Sequence, residues 1–273
     1  MKGLTFLSLA GCLVAALAAT GRPGGGAAAQ APGRGIIKGH VRLMGTLPGN
    51  TVIRMGMDPL CARMNARIRV VQETVVANTD GSLANVFVKL QGSFPQTPVP
   101  ATPVSIDQRG CIFGPRVVGA RVGQMLQVRN SDRLFHNVHG MSSRDNGFNF
   151  SEPKAGVVQQ VPLKDEETML RLKCDVHNWM VAYVGVVSHP YFAVTHDGGT
   201  FEIDNVPAGT YALQTWHERY GPLMQTVRVK TGAATMVEFS YTGSENGAAR
   251  VQDLVLPGGL SARLIAPGSS GSR

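Results

Sequence analysis

The stretch MLRLKCDVHNWMV, from Met169 to Val181, decides the fold class. In its first half, apolar side chains at every second position alternate with Arg171 and Lys173. A period of two is typical of a strand that has one face buried and the other in water. Its second half places a thiol, an imidazole and a thioether within the seven residues from Cys174 to Met180. The pattern therefore predicts a strand, a short loop rich in ligand atoms, and a second strand.

The same alternation recurs outside this stretch, for example from Gln124 to Arg129, and no segment keeps a helical period for three turns. The chain of 273 residues is 43% hydrophobic and 16% charged, with 33 Gly and 16 Pro. This composition excludes a solvated disordered chain and a coiled coil, and it favours turn-rich β structure. We therefore predict an all-β protein.

A second segment with ligand atoms, NSDRLFHNVH, runs from Asn130 to His139 and follows a strand pattern. Together the two segments can supply one thiolate, two imidazoles and one thioether. Hard cations such as Ca²⁺ prefer oxygen ligands, and structural zinc takes Cys or His at all four positions. Two His, one Cys and a weak axial Met describe an electron-transfer copper site.

Residues Val104 to Ser188 resemble the cupredoxins, the blue-copper family that includes plastocyanin and amicyanin. The C-x-x-H-x-x-M spacing of Cys174, His177 and Met180 is similar to the amicyanin version of the ligand loop. The run His136-Asn137-Val138-His139 resembles the loop that provides the family's first ligand. The resemblance covers roughly a third of the chain and implies a Greek-key β-sandwich.

The resemblance also implies a role for each residue. It makes His136, Cys174 and His177 the equatorial copper ligands and Met180 the axial one. It makes Asn137 the residue that ties the two ligand loops together by hydrogen bonds. Electrons are then expected to pass through an exposed edge of His177.

Alternatives remain at these positions. Considered one at a time, Cys174 could be an ordinary buried thiol and Met180 an ordinary residue of the hydrophobic core. His139 could also replace His136 as ligand. The chain also departs from the family, because Asn178 stands where Pro is common and Asp175 places a carboxylate within the loop.

If Cys174 binds copper, Cys61 and Cys111 remain as a natural disulfide pair. Such a bridge would pin a Met-rich segment onto the copper domain and contribute about 3–4 kcal/mol. The alternative to a disulfide is a second metal site, because a cluster of four soft side chains could bind a second Cu(I) ion. Its members are Met55, Met57, Cys61 and Met64.

Residues 1–29 have the pattern of a signal peptide, with Lys2 followed by an apolar run and small residues before the expected cleavage point. The apolar run is shorter than a membrane-spanning helix requires, which disfavours the alternative of an uncleaved anchor. We therefore expect an exported protein, periplasmic or secreted.

The region after Pro190 repeats β patterns in a different style. Residues 191–242 resemble the carboxypeptidase-regulatory-like, or transthyretin-like, β-sandwich units. The resemblance rests on the turn Asp197-Gly198-Gly199 and the run Val206-Pro207-Ala208-Gly209. Such units usually begin with strands that resemble Ile36 to Leu43 and Leu83 to Leu90, both within the N-terminal β segment of residues 30–103. We therefore expect a split sandwich with the copper domain, residues 104–190, inserted in it, and a flexible tail over residues 243–273.

These features favour one-electron transfer with a redox protein or membrane oxidoreductase as partner, and no enzymatic activity. The formal net charge is +8, but no interleaving of aromatic and basic residues indicates nucleic-acid binding. Two alternatives are a copper carrier or sensor, and a module that binds carbohydrate or a cell-envelope partner and has a structural metal.

Overall fold

The structure is a computed structural model that describes residues 33–245. Within this range the chain is almost entirely β, which confirms the predicted fold class. Strands in the first half are β1 (Arg34–Leu43), β2 (Phe87–Gln91), β3 (Val104–Arg109), β4 (Ile112–Gly114), β5 (Val117–Arg121), β6 (Met125–Asn130), β7 (His136–Met141) and β8 (Phe148–Glu152). Strands in the second half are β9 (Val158–Pro162), β10 (Glu167–Lys173), β11 (Val181–Val187), β12 (Phe192–Val194), β13 (Thr200–Pro207), β14 (Gly209–His217), β15 (Gly221–Val229) and β16 (Ala234–Tyr241).

The central part of the chain forms two facing sheets. One has the strand order β5-β11-β10-β7-β8, and the other has the order β4-β3-β6-β9. Alternate residues of these strands point inward to one core, which includes Ile106, Leu126, Val128, Leu170 and Leu172. The period of two around Lys173 thus reflects a strand whose inner face is fully buried.

The first and last parts of the chain form two further sheets together. Strand β1 lies between β13, to which it is antiparallel, and β16, to which it is parallel. Strand β2 pairs with β12 and β14, and β15 completes that sheet. Strands from before and after the central part of the chain therefore share both of these sheets.

Aromatic packing joins the two sandwiches. The Phe87 ring of β2 packs against Gly185 of β11, where an added Cβ would lie 2.5 Å from its Cζ atom. A buried ion pair lies in the same region, with Arg116 Nη2 donating to Glu218 Oε2 at 2.8 Å. Residues 33–245 thus belong to one compact unit.

Residues 54–69, which we name the cap loop, lie between β1 and β2 in sequence, and the flanking residues Ile53 and Val70 pack against the core of the central sandwich. Their ends are joined where Ile53 N donates to Val70 O at 3.0 Å. The cap loop contains one 3₁₀ turn (Met55–Met57) and the short helix α1 (Pro59–Met64). Asp58 caps this helix, because its Oδ1 atom accepts from the backbone N–H groups of Leu60 and Cys61.

The expected signal peptide, residues 1–29, lies outside the described residues, as does the expected tail from residue 246 onward. In the part of the chain that the structure describes, no helix is long and apolar enough to cross a membrane.

Candidate metal centre

The strand arrangement brings the two predicted ligand segments together. His136 is the first residue of β7, and Cys174 follows the last residue of β10, the strand that pairs with β7. The loop after Cys174 is short and closed, since Cys174 N donates to Met180 O at 3.3 Å and Met180 N donates to His177 O at 2.9 Å. Both segments therefore open at the same end of one sheet.

Three of the predicted ligands converge. The Nδ1 atoms of His136 and His177 are 3.1 Å apart, and Cys174 Sγ is 3.7 Å from His177 Nδ1. One ligand atom from each of the three residues lies within 4.8 Å of the others. All three side chains are at most 1% exposed, so the donor atoms face one another away from water.

Met180, the predicted fourth ligand, ends the loop. Its side chain is 1% exposed and belongs to the same buried core as Cys174. The structure thus places this thioether in the interior at the end of the sandwich where the three donors meet.

Two carboxylates hold the outer nitrogens of both imidazoles. Asp132 Oδ2 lies 2.9 Å from His136 Nε2, and Asp58 Oδ2 lies 3.1 Å from His177 Nε2. Asp132 is itself fixed, because it accepts from the backbone N–H groups of Gly110 and Cys111. A carboxylate on the outer nitrogen sets the orientation of a ligand imidazole and makes its inner nitrogen more basic.

Sequence reasoning missed both carboxylates. Asp132 stands four residues before His136, a spacing that could have raised the question. Asp58 lies 119 residues before His177, and nothing in the sequence connects them.

Hydrogen bonds in the cluster shift two pKa values in opposite directions. Burial alone would lower the pKa of His136, but hydrogen bonds to Asp132 and Cys174 outweigh it and raise that pKa to about 9. Burial would raise the pKa of Cys174, but hydrogen bonds from His136 and His177 lower it to about 6. The environment therefore stabilises a thiolate, which is the form that binds metal.

Asn137 connects the two ligand segments. Its Oδ1 atom accepts from Asp175 N at 3.0 Å, and its Nδ2 atom donates to Phe150 O at 3.0 Å. Its side chain therefore links the residue after Cys174 to strand β8.

His139 and Asp175 point elsewhere. His139 Nδ1 lies 3.0 Å from Asp175 Oδ2, and Asp175 Oδ1 accepts from Lys173 Nζ at 2.7 Å. His139 is therefore held in a hydrogen-bond network at the surface rather than among the three converging donors.

The expectation of an exposed His177 edge is wrong. The His177 side chain is 1% exposed, because the cap loop lies across its outer edge. Asp58 contacts Nε2, Cys61 Sγ lies 3.6 Å from the same atom, and the Trp179 ring lies 5.2 Å away between centroids.

The predicted disulfide is confirmed. Cys61 and Cys111 are joined, with their Cα atoms 5.8 Å apart, so the bridge pins the cap loop to the central sandwich. The alternative of a second Cu(I) cluster is contradicted, because the Cys61 sulfur is used in this bridge. Its methionines also diverge: Met55 is buried, whereas Met57 is 93% exposed.

A buried carboxyl group lies behind the cluster and was also missed. Glu152 of β8 stands opposite His136 of β7, is fully buried and contacts Gln108 Nε2. Burial raises the pKa of Glu152 to about 7. Its environment therefore disfavours a second full negative charge beside the Cys174 thiolate.

Comparisons with known proteins give structural neighbours only. No family model matches the chain, and no curated protein matches it. A Cu-containing nitrite reductase from Thermus scotoductus SA-01 matches at 18% identity and a TM-score of 0.28, over 35% of this chain and 24% of the reductase. The match thus spans about a quarter of that reductase's length.

Two smaller proteins match over nearly their whole length. A purple cupredoxin from Nitrosopumilus maritimus matches at 19% identity and a TM-score of 0.26, over 30% of this chain and 97% of its own. A reduced amicyanin variant matches at 16% identity and a TM-score of 0.28, over 36% of this chain and 97% of its own. The structural neighbours of this chain thus include cupredoxins.

Proposed function

We propose that this chain is an exported copper protein with a type 1 (blue) site that transfers single electrons to or from a redox partner. One observation carries the proposal: two imidazole Nδ1 atoms and one thiol converge in the interior, and a carboxylate holds each imidazole from outside.

The donor set fits copper. His136 Nδ1, His177 Nδ1 and Cys174 Sγ would hold the ion, with Met180 as a weak fourth donor. Hard cations prefer oxygen, and structural zinc prefers four Cys or His donors, whereas two imidazoles and one thiolate with a distant thioether suit copper. The bound copper would supply one-electron cycling between Cu(I) and Cu(II).

The residues around the donors would keep their positions the same in both oxidation states. Asp132 and Asp58 hold the rings, and the backbone N–H of His177 donates to the Cys174 sulfur at 3.4 Å. A site that moves little on a change of charge loses little energy to rearrangement, and the burial of these donors favours that rigidity.

The disulfide supports the proposed location. Disulfides persist in oxidising compartments, and the bridge between Cys61 and Cys111 is fully buried. A periplasmic or secreted protein would meet its partner there, either a small redox protein or a membrane oxidoreductase.

The alternative of a carbohydrate-binding module gains little from the second sandwich. A shallow trough lies on the outer face of β13, β1 and β16. Its charged side chains are already paired, Lys38 with Glu202 and Arg42 with Glu238, and its aromatic residue, Phe201, is 4% exposed. These contacts do not favour a carbohydrate site, so electron transfer is the proposed function.

The test is a titration of the metal-free protein with Cu(II). We expect an intense visible absorption band from thiolate-to-copper charge transfer, with one copper bound per chain. Cys174→Ser should abolish the band, and His136→Gln should strongly perturb or abolish it. His139→Gln is the matched control and should retain it. A wild-type protein that stays colourless and binds only zinc would refute the proposal.

A further inference from the structure

The cap loop has a surface unlike that of an ordinary solvated loop. Its sixteen residues, RMGMDPLCARMNARIR, contain four Arg and three Met but no Lys, with a single acid at Asp58. Protein interfaces are enriched in Arg and Met and depleted in Lys, Glu and Asp. The composition is therefore that of a contact surface.

The apolar side chains of this loop face water. Met57 is 93% exposed, Ile68 65%, Met64 48% and Leu60 46%. The inner side of the loop is filled by Cys61 and Met55, both buried. Exposed apolar residues grouped in one segment usually mark an interaction site.

The positive charges of the cap loop also face water. The arginines of the loop are exposed, and within residues 33–245 none of them forms an ion pair with a carboxylate. They are Arg54, Arg63, Arg67 and Arg69. The only acid of the loop, Asp58, is turned toward His177 and the start of α1. The outer surface is thus strongly basic.

The loop also lies on the short route from the candidate metal centre to solvent. Asp58 contacts His177 Nε2 at 3.1 Å, and its side chain is 28% exposed. From these features we infer that the cap loop is the docking surface for an acidic protein that exchanges electrons with the centre. This inference rests on the proposed function and names the partner's chemistry: a carboxylate-rich face around an exposed redox group.

A protein fits this surface better than a nucleic acid or a membrane does. The loop contains no aromatic residue on which a base could stack. A membrane seated on the loop would separate His177 from soluble partners, which conflicts with its place on the electron route. Charge complementarity of this kind chiefly accelerates encounter and weakens as salt rises.

The kinetic test uses two small oxidants of opposite charge on the copper-loaded, reduced protein. Hexacyanoferrate(III) and tris(phenanthroline)cobalt(III) each take one electron, so Cu(I) becomes Cu(II) and the reagent's metal goes from the +3 to the +2 state. We expect the double variant Arg63→Glu/Arg67→Glu to slow the anionic reagent about tenfold or more at low salt and to accelerate the cationic one. The matched control, Arg228→Glu/Lys230→Glu, reverses one exposed charge on β15 and one directly after it, and should change either rate less than twofold.

A binding test does not depend on copper. Labelled poly-L-glutamate, added to the metal-free protein, should bind in a salt-sensitive manner, about tenfold more weakly to the cap-loop variant and equally to the β15 control. Equal losses in both variants would show a global charge effect and overturn the inference. Binding to phosphatidylglycerol vesicles but not to polyglutamate would overturn it in favour of a membrane. If the visible band never forms but polyglutamate selects the cap loop, the proposed function fails while the docking surface for an acidic partner stands.

Discussion

At the scale of single residues, the two carboxylates that hold the imidazoles differ in setting. Asp132 is 3% exposed and accepts two backbone N–H groups as well as contacting His136. Burial raises its pKa, but those hydrogen bonds and the bond from His136 outweigh burial and lower it. Asp132 is therefore a rigid, buried support whose hydrogen bonds favour its charged form, whereas Asp58 belongs to the cap loop and its side chain is 28% exposed.

Replacing Asp132 should weaken the metal site more than replacing a surface acid does. We expect Asp132→Asn to lower copper affinity about 10–100-fold, because the amide leaves His136 less basic and less firmly oriented. Competition with a chelator measures this loss. Asp145→Asn, a change at an exposed acid, is the control. Affinity within twofold of the wild type would contradict the role given to Asp132.

His217 offers a pH-dependent prediction away from the metal centre. It is fully buried, and its Nε2 atom has no hydrogen-bond partner. Burial, with smaller contributions from Arg116 and Arg219, lowers its pKa from 6.5 to about 4. Between these two values the unfolded chain binds more protons than the folded one, so stability is complete above pH 6.5 and falls as the pH drops toward 4.

Replacing His217 by Phe should remove that part of the acid sensitivity. The shift corresponds to roughly 3 kcal/mol of unfolding free energy between pH 7 and pH 4. Urea unfolding of both proteins at pH 7 and pH 4.5 measures the difference. We expect the variant to lose about 2–3 kcal/mol less than the wild type on acidification. An identical loss in both proteins would be the contrary result.

At the scale of elements, the cap loop depends on its disulfide. The helix α1 has six residues, too few to be stable alone, and Cys61 lies within it. The bridge to Cys111 spans 50 residues and holds the loop against His177. The loop is thus an element fixed by tertiary contacts rather than by local propensity.

Removal of the bridge should therefore loosen the loop as well as destabilise the fold. We expect Cys61→Ser/Cys111→Ser to lower the free energy of unfolding by about 4 kcal/mol, from the greater freedom of the unfolded chain. Hydrogen exchange should show the backbone amide at position 61 losing protection before the strands of the sandwich do. Unchanged protection in the cap loop would mean that Asp58 and packing hold it without the disulfide.

The same contrast between local sequence patterns and tertiary contacts explains which features could be predicted from the sequence. Alternation of polar and apolar residues predicts strands such as β6 and β10, because burial of one sheet face is a local pattern. The spacing of Cys174, His177 and Met180 brings those residues into one short loop. The cover over His177 could not be predicted, because it depends on Asp58 meeting a residue 119 positions away.

At the scale of the whole molecule, the two sandwiches share a packed boundary. Phe87 of β2 lies against the glycine at position 185 of β11 and near Phe192 of β12, with ring centroids of the two Phe residues 5.9 Å apart. The absence of a side chain at Gly185 lets the ring approach the sheet. The boundary is therefore set by close packing as well as by the pair of Arg116 and Glu218.

Adding a side chain at this boundary, in place of Gly185, should destabilise the whole protein. A Cβ atom at Gly185 would lie 2.5 Å from Phe87 Cζ, so we expect Gly185→Ala to cost about 1–3 kcal/mol of unfolding free energy. Gly49→Ala is the control, because a Cβ there would meet nothing within 4 Å. Thermal denaturation of the two variants measures the contrast, and equal midpoints would show that the ring moves aside freely.

The interleaved pairing of β1 has a consequence for biogenesis. In the finished fold Arg34 lies opposite Pro207, and Ile36 lies opposite Ala234. The edges of β1 therefore stay unpaired during synthesis until β13 and β16 have been made. The central sandwich can form earlier, because its strands are contiguous in sequence. Its folding shortens the effective chain separation between the two segments that form the other sandwich. The central part of the chain would thus help the second sandwich to close by holding its two segments near each other.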